Sequence, residues 1–178
     1  MRAPPVRDER GFTLIELITV MAMLLIVVTA LSGALIAALK TEEDTNRRFT
    51  SQINARIALD GLRREIHCAT GVTPTGSWMV TIVLGNRCLI GAGTTATWCT
   101  SGSGTAYGLY RTVGASCSTS GRNIANYLTT GDVFTYTPQS AINLGYLSVS
   151  LPVDANPAAG RPDYVLQDDI VLRNSSRT

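Results

Sequence analysis

The sequence has few charged residues and few of the residue types on which enzymes and metal sites depend. Asp, Glu, Lys and Arg make up 16% of its 178 residues, against roughly 25% in an average soluble protein. There is a single histidine, His67, and there is no G-x-S-x-G, C-x-x-C, G-x-G-x-x-G or Walker sequence. These absences argue against a hydrolase, a zinc site and a phosphate-binding loop. We therefore predict that the protein is not an enzyme and uses no metal or cofactor.

The basic residues are too scattered to form a nucleic-acid surface. The formal net charge is +2, and the longest basic runs are the pairs Arg47-Arg48 and Arg63-Arg64. A protein face that binds nucleic acid needs a concentrated basic patch or stripe. We predict no specific nucleic-acid partner.

One long segment is entirely without charge. Residues 17–39 contain no charged side chain, and at about 1.5 Å per residue they can cross a hydrocarbon core of about 30 Å. The segment is longer than the roughly 7–15 apolar residues of a secretory signal peptide. Basic residues precede it and acids follow it: Arg2, Arg7 and Arg10, then Glu42, Glu43 and Asp44. This asymmetry predicts a cytoplasmic N-terminus and a C-terminal part outside the cytoplasm.

The helical pattern continues beyond the uncharged segment. No proline interrupts residues 12–68, and Gly71 and Pro74 follow, so we predict one long helix that ends near Cys68. It comprises an apolar half at 12–39 and an amphipathic half at 40–70, with Gly33 as its weakest point. The amphipathic half is expected to bury one stripe of apolar residues: Phe49, Ile53, Ile57, Leu59, Leu62 and Ile66.

Residues 71–178 have the composition of a small β-rich domain. We expect strands at 78–84, 107–113, 132–138, 146–153 and 164–174, joined by Gly-rich links such as GAGTT and SGSGT. Closely spaced strands favour an antiparallel sheet, with Trp78 and Trp98 in its core and the helix stripe as its cover. The predicted fold is α+β, with a long N-terminal helix packed by its second half on the sheet.

All four cysteines lie near or within this β-rich part: Cys68, Cys88, Cys99 and Cys117. An even number of cysteines in an exported domain indicates disulfides. Three connectivities are possible, and we favour the sequential pairing because it closes local loops.

The sequence RGFTLIELITVMAMLLIVVTALSGALIAAL resembles the N-terminal signature of type IV pilins and of the pseudopilins of type II secretion systems. The resemblance implies that residues 1–11 are a leader, which a prepilin peptidase removes by cutting between Gly11 and Phe12. The same enzyme would then methylate the new amine of Phe12. Glu16, the acid at the fifth mature position, would pair with the Phe12 amine of a neighbouring subunit and set the register between helices.

The resemblance also implies partners and a location. The partners would be other pilin subunits and an inner-membrane assembly platform. The precursor would cross the inner membrane once, and the mature subunit would join an extracellular or periplasmic filament. Many major pilins carry a proline where this chain has Gly33, which favours a minor pilin. The alternatives are a J-class pseudopilin and a single-span protein whose outer domain binds a surface without polymerising.

Overall fold

A computed structural model describes residues 11–88, 91–140, 142–157 and 164–173. One helix, α1, runs from Leu14 to Cys68 over 55 residues, and its last residue is the predicted one. By its contacts the chain divides into two compact units, with the boundary between Glu43 and Asp44. Residues 1–10 of the predicted 1–11 leader and residue 174, the last of the predicted strand at 164–174, lie outside the described residues.

The second unit contains the last part of α1 and one antiparallel sheet. The eight strands are β1 (Ala69–Thr75), β2 (Met79–Leu84), β3 (Thr95–Ser103), β4 (Ala106–Val113), β5 (Arg122–Leu128), β6 (Phe134–Thr137), β7 (Tyr146–Val153) and β8 (Tyr164–Val171). Their order is β1-β2-β3-β4-β5-β7-β6, and β8 also pairs with β7. The α+β class, with a long helix and an antiparallel sheet, is confirmed.

Three strands were not predicted, and each contains residue types that are uncommon in strands. β1 contains Gly71 and Pro74, which is compatible with a strand because β1 lies at the edge of the sheet and pairs only with β2 among the described strands. β3 includes Ser101–Ser103, which we had placed in a link. β5 (Arg122–Leu128) is rich in Asn, a residue depleted in strands. Pairing with neighbouring strands outweighs local propensity in all three.

The predicted stripe on α1 is partly wrong. The buried residues of the helix are Ser51, Ala55, Ala58, Leu59, Leu62 and Ile66, whereas Phe49, Ile53 and Ile57 are 62%, 39% and 53% exposed. At 3.6 residues per turn, Ile53 and Ile57 each lie about 160° around the helix from Ala55. The prediction therefore combined residues from two opposite faces of α1. The sheet covers only the face that is rich in alanine.

Small residues let the helix approach the sheet closely. A Cβ atom added at Gly61 would lie 3.4 Å from Cη2 of Trp98, so the indole ring packs directly against the helix backbone. Trp98 is 2% exposed and lies in the core with Leu62 and Ile66. The prediction of a core position is confirmed for Trp98 but wrong for Trp78, which is 41% exposed.

Two disulfides link local segments of this unit. Cys68 at the end of α1 is bonded to Cys88 beyond β2, with a Cα–Cα distance of 5.3 Å. Cys99 in β3 is bonded to Cys117 beyond β4, with a Cα–Cα distance of 5.9 Å. This is the sequential pairing, and each bond closes a short loop.

Polar contacts attach the second half of α1 to the sheet. Glu65 accepts hydrogen bonds from Nε1 of Trp98 at 2.7 Å and from Nε of Arg111 at 2.5 Å. Arg63 forms an ion pair with Asp168 of β8, with an Nη2–Oδ2 distance of 2.8 Å. These contacts fix which helix face meets the sheet.

Candidate functional site

The start of α1 is organised by a hydrogen-bonded cap between Thr13 and Glu16. The backbone N–H and the hydroxyl of Thr13 both donate to Oε2 of Glu16 at 3.0 Å. In return, the backbone N–H of Glu16 donates to Oγ1 of Thr13 at 3.4 Å. This reciprocal arrangement is a capping box, which satisfies N–H groups that the first turn of a helix leaves without intrahelical partners.

Thr13 is a residue that our reading of the sequence missed. The pattern Thr13-x-x-Glu16 directly before an apolar run is a signal for a helix start, and it could have been found from the sequence. It explains why α1 begins at Leu14. It also gives Glu16 a local role in addition to the predicted one, because its carboxylate accepts hydrogen bonds within its own chain.

The cap leaves part of the Glu16 carboxylate available. Both hydrogen bonds from Thr13 reach Oε2, and Oε1 accepts no hydrogen bond from any residue that the structure describes. The residue is exposed. A donor from outside the chain can therefore reach Oε1 without breaking the cap.

The Gly11–Phe12 bond lies directly before this cap, in chain that is not helical. Phe12 is 90% exposed. A Cβ atom added at Gly11 would meet no described atom within 4 Å, so nothing in the described fold shields this peptide bond. The structure thus places Gly11, Phe12 and Glu16 within two turns of chain at one accessible end of α1.

From Leu14 to Leu39 the surface of α1 is almost wholly apolar, and no other part of the described chain covers it. The large hydrophobic residues from Leu14 to Leu39 are each between 49% and 75% exposed. The hydroxyl of Thr29 donates to the carbonyl oxygens of Leu25 and Ile26 at 2.8 and 2.9 Å, so it needs no water. The helix is long and apolar enough to cross a membrane.

Gly33 lies inside the continuous helix, and the structure shows no break there. A Cβ atom added at Gly33 would meet nothing within 4 Å. The described fold therefore gives no steric reason for glycine at this position. Its predicted role as the weak point of the helix stays a prediction.

Further contacts hold the exposed side of the second helical half near β8. Arg56 donates from Nη2 to the hydroxyl of Tyr164 at 2.9 Å. This hydrogen bond raises the pKa of the Arg56 guanidinium above its ordinary value, so Arg56 stays charged at any physiological pH. Within the described residues, no three His, Cys, Asp or Glu side chains come together as a metal site.

An exposed apolar helix with an acid near its start, continuing into a disulfide-bonded sheet domain, defines an α+β protein whose N-terminal helix is suited to cross a membrane. Comparison with known families narrows this class. Residues 6–32 match the family described as the prokaryotic N-terminal methylation motif. The chain thus carries the signal of type IV pilins and pseudopilins, as the resemblance of its N-terminus predicted.

This motif gives the general context of the helix. It implies processing by a prepilin peptidase and assembly with other pilin-type subunits, and together with the apolar helix it indicates anchoring by a single membrane span. The match covers the start of the chain and does not extend into the sheet. No significant match is found among curated proteins or among solved structures.

Proposed function

We propose that this protein is a minor pilin, a structural subunit that is inserted as a single-span precursor, cut between Gly11 and Phe12, and built into a filament. One observation carries the proposal. The methylation motif at 6–32 extends over the start of α1, and the described fold leaves the apolar surface of this helix uncovered from Leu14 to Leu39. Exposing that surface to water is unfavourable, so the helix needs lipid or other helices around it.

The proposed assembly step transfers the helix between two similar environments. Acyl chains surround residues 14–39 in the membrane, and the helices of neighbouring subunits surround them in the filament. Both environments are apolar, and hydroxyls such as that of Thr29 are already bonded to backbone carbonyls. Leaving the bilayer therefore does not require the helix to enter water.

In this proposal, Glu16 sets the axial register between the helices of adjacent subunits. Cleavage creates a positively charged amine at Phe12, and this amine would donate to Oε1 of Glu16 in an adjacent subunit while Thr13 holds Oε2. An axial shift between helices would leave a carboxylate and an ammonium unpaired in an apolar setting. Breaking one buried pair typically costs about 3–5 kcal/mol, which is enough to select one register.

The orientation that we propose places the start of the chain in the cytoplasm and residues 44–178 outside. The basic residues before the apolar segment and the acids after it support this orientation. The two disulfides also support it, because such bonds persist in oxidising compartments. In this role the protein acts by assembly and not by catalysis.

The proposal is tested by determining the N-terminus of the protein from a host that has a prepilin peptidase. Mass spectrometry is expected to find N-methylated Phe12 as the first residue. Gly11→Val should keep the leader, because a side chain there blocks close approach by the enzyme, whereas the control Gly33→Val should be processed normally. An intact Met1, or a cut near Ala38, would contradict the proposal.

Assembly is tested separately with Glu16→Gln, which keeps the shape of the side chain and removes its charge. Recovery in sheared filaments is expected to fall about tenfold or more, with an unchanged amount in the membrane. Glu42→Gln is the matched control, since this exposed acid lies beyond the apolar segment. Equal recovery of Glu16→Gln and the wild type would refute the role in register.

A further inference from the structure

A groove of about 350 Å³ lies in the second unit. It is bounded by the turn before β2, by the end of β3 with the start of β4, and by the segment that precedes β6. Its lining includes two aromatic residues, Trp78 and Tyr107, and the carboxylate of Asp132. Neither the methylation motif nor the proposed assembly gives this groove a role.

The two aromatic rings are held in place by glycine. A Cβ atom added at Gly76, whose φ is +64°, would lie 3.2 Å from Cδ1 of Trp78. One added at Gly131 would lie 2.9 Å from Cε1 of Tyr107. Both rings thus rest against backbone that carries no side chain, while Trp78 remains 41% exposed.

Hydrogen bonds fix the backbone that carries these groups. Thr100 donates through its N–H to the carbonyl oxygen of Trp78 at 2.9 Å, and through its hydroxyl to that of Gly131 at 2.6 Å. The N–H of Val133 donates to the carbonyl oxygen of Ser77 at 2.9 Å. The buried residue Thr100 therefore connects two walls of the groove. These bonds form the groove before any ligand binds.

Asp132 is positioned as a hydrogen-bond acceptor. The hydroxyl of Ser77 donates to its Oδ1, and its Oδ2 accepts no hydrogen bond from any residue that the structure describes. Asp132 also lines a neighbouring cavity of about 550 Å³, with the polar side chains of Ser148, Ser150 and Gln167. The shared carboxylate makes the two cavities adjacent, so a ligand longer than one ring can occupy both.

We infer that the groove binds a neutral saccharide. A sugar ring presents a face of C–H bonds, which packs on the electron-rich face of an indole, and a rim of hydroxyls, which donate to carboxylates. Concave sites with an apolar surface and a few oriented polar groups are the usual form of small-ligand sites. Asp132 and Asp169, which line the second cavity, disfavour acidic sugars by charge repulsion. Binding at this groove is independent of filament assembly, so either proposal can fail without the other.

The test uses the full-length protein in a polyoxyethylene detergent, since detergents with sugar head groups would compete. Cellohexaose and N-acetylchitohexaose are titrated as neutral probes, with hexagalacturonate as the acidic probe and choline as a cationic probe. The chain has two tryptophans, and Trp98 is buried, so a change in tryptophan fluorescence reports mainly on Trp78. Calorimetry provides affinities for each variant.

Saturable binding of at least one neutral probe is expected, with weaker binding of hexagalacturonate. Trp78→Ala should weaken this binding about tenfold or more, and Asp132→Asn should weaken it severalfold. Phe49→Ala, which removes an exposed aromatic ring outside the groove, should leave it unchanged and serves as the control. Absence of saturable binding to both neutral probes, binding that Trp78→Ala does not alter, or a preference for choline would overturn the inference.

Discussion

Glu65 is predicted to be the principal polar link between α1 and the sheet. Its two carboxylate oxygens accept from different partners, Oε2 from Nε1 of Trp98 and Oε1 from Nε of Arg111. The side chains of Glu65 and Arg111 are 14% and 18% exposed, and Trp98 is 2% exposed. Glu65→Ala would therefore leave both a core indole N–H and a mostly buried guanidinium without their acceptor.

The expected loss can be worked from these contacts. An unsatisfied buried donor costs about 1–3 kcal/mol, and breaking a buried ion pair costs about 3–5 kcal/mol. Because water still reaches part of the pair, we expect the lower end, about 3 kcal/mol in the free energy of unfolding. For a chain of this size that corresponds to a fall of roughly 6–12 °C in Tm. Glu65→Gln keeps a hydrogen-bond acceptor, so its loss in the free energy of unfolding should be about half that of Glu65→Ala.

The assay is urea unfolding of the full-length protein in detergent. A Trp78→Phe background leaves Trp98 as the fluorescent reporter of the contact between helix and sheet. Asp60→Ala is the matched control, because its side chain is 62% exposed and lies 3.9 Å from Arg63, so a change of at most about 0.5 kcal/mol is expected. Glu65 is not the principal polar link between α1 and the sheet if Glu65→Ala is no less stable than Asp60→Ala. The same conclusion follows if the losses of stability in Glu65→Ala and Arg111→Ala simply add in the double variant.

Two further predictions concern the disulfides and the helix cap. Replacing Cys68 and Cys88 together by serine should lower the free energy of unfolding by about 3 kcal/mol under oxidising conditions, because the bond closes a loop over a sequence separation of 20. Equal stability of this variant and the oxidised wild type in urea unfolding would contradict the prediction. Thr13→Val should weaken the start of α1 by about 1 kcal/mol and speed amide exchange at Glu16 and Leu17, whereas Thr13→Ser should retain protection. Protection that survives in Thr13→Val would show that the cap is dispensable.

The uncharged helix and its methylation motif were accessible from the sequence because they depend on local features. A run without charge at 17–39, an acid at Glu16 and the residues Gly11-Phe12 are readable in order along the chain. The end of α1 at Cys68 follows from the glycine and proline beyond it. The cap at Thr13 depends on an equally local pattern, Thr13-x-x-Glu16.

The sheet was less accessible because its strands are stabilised by pairing with distant residues. β3 and β5 contain Gly, Ser and Asn, which oppose strand formation locally, yet both lie inside the sheet order between neighbours. Their hydrogen bonds and packing depend on strands far away in the sequence. No window of a few residues contains that information.

The sequence by itself determined the apolar helix, the methylation motif and the α+β class, because periodicity, charge and motif spacing are properties of neighbouring residues. Only the tertiary structure decided which face of α1 is buried, leaving Phe49 and Ile57 exposed while Ala55 packs inward. It also decided that Trp98 is covered by the helix whereas Trp78 borders an open groove. The physical reason is that burial depends on which surfaces meet, and Trp98 is buried because the helix packs on its ring, with Gly61 close to it.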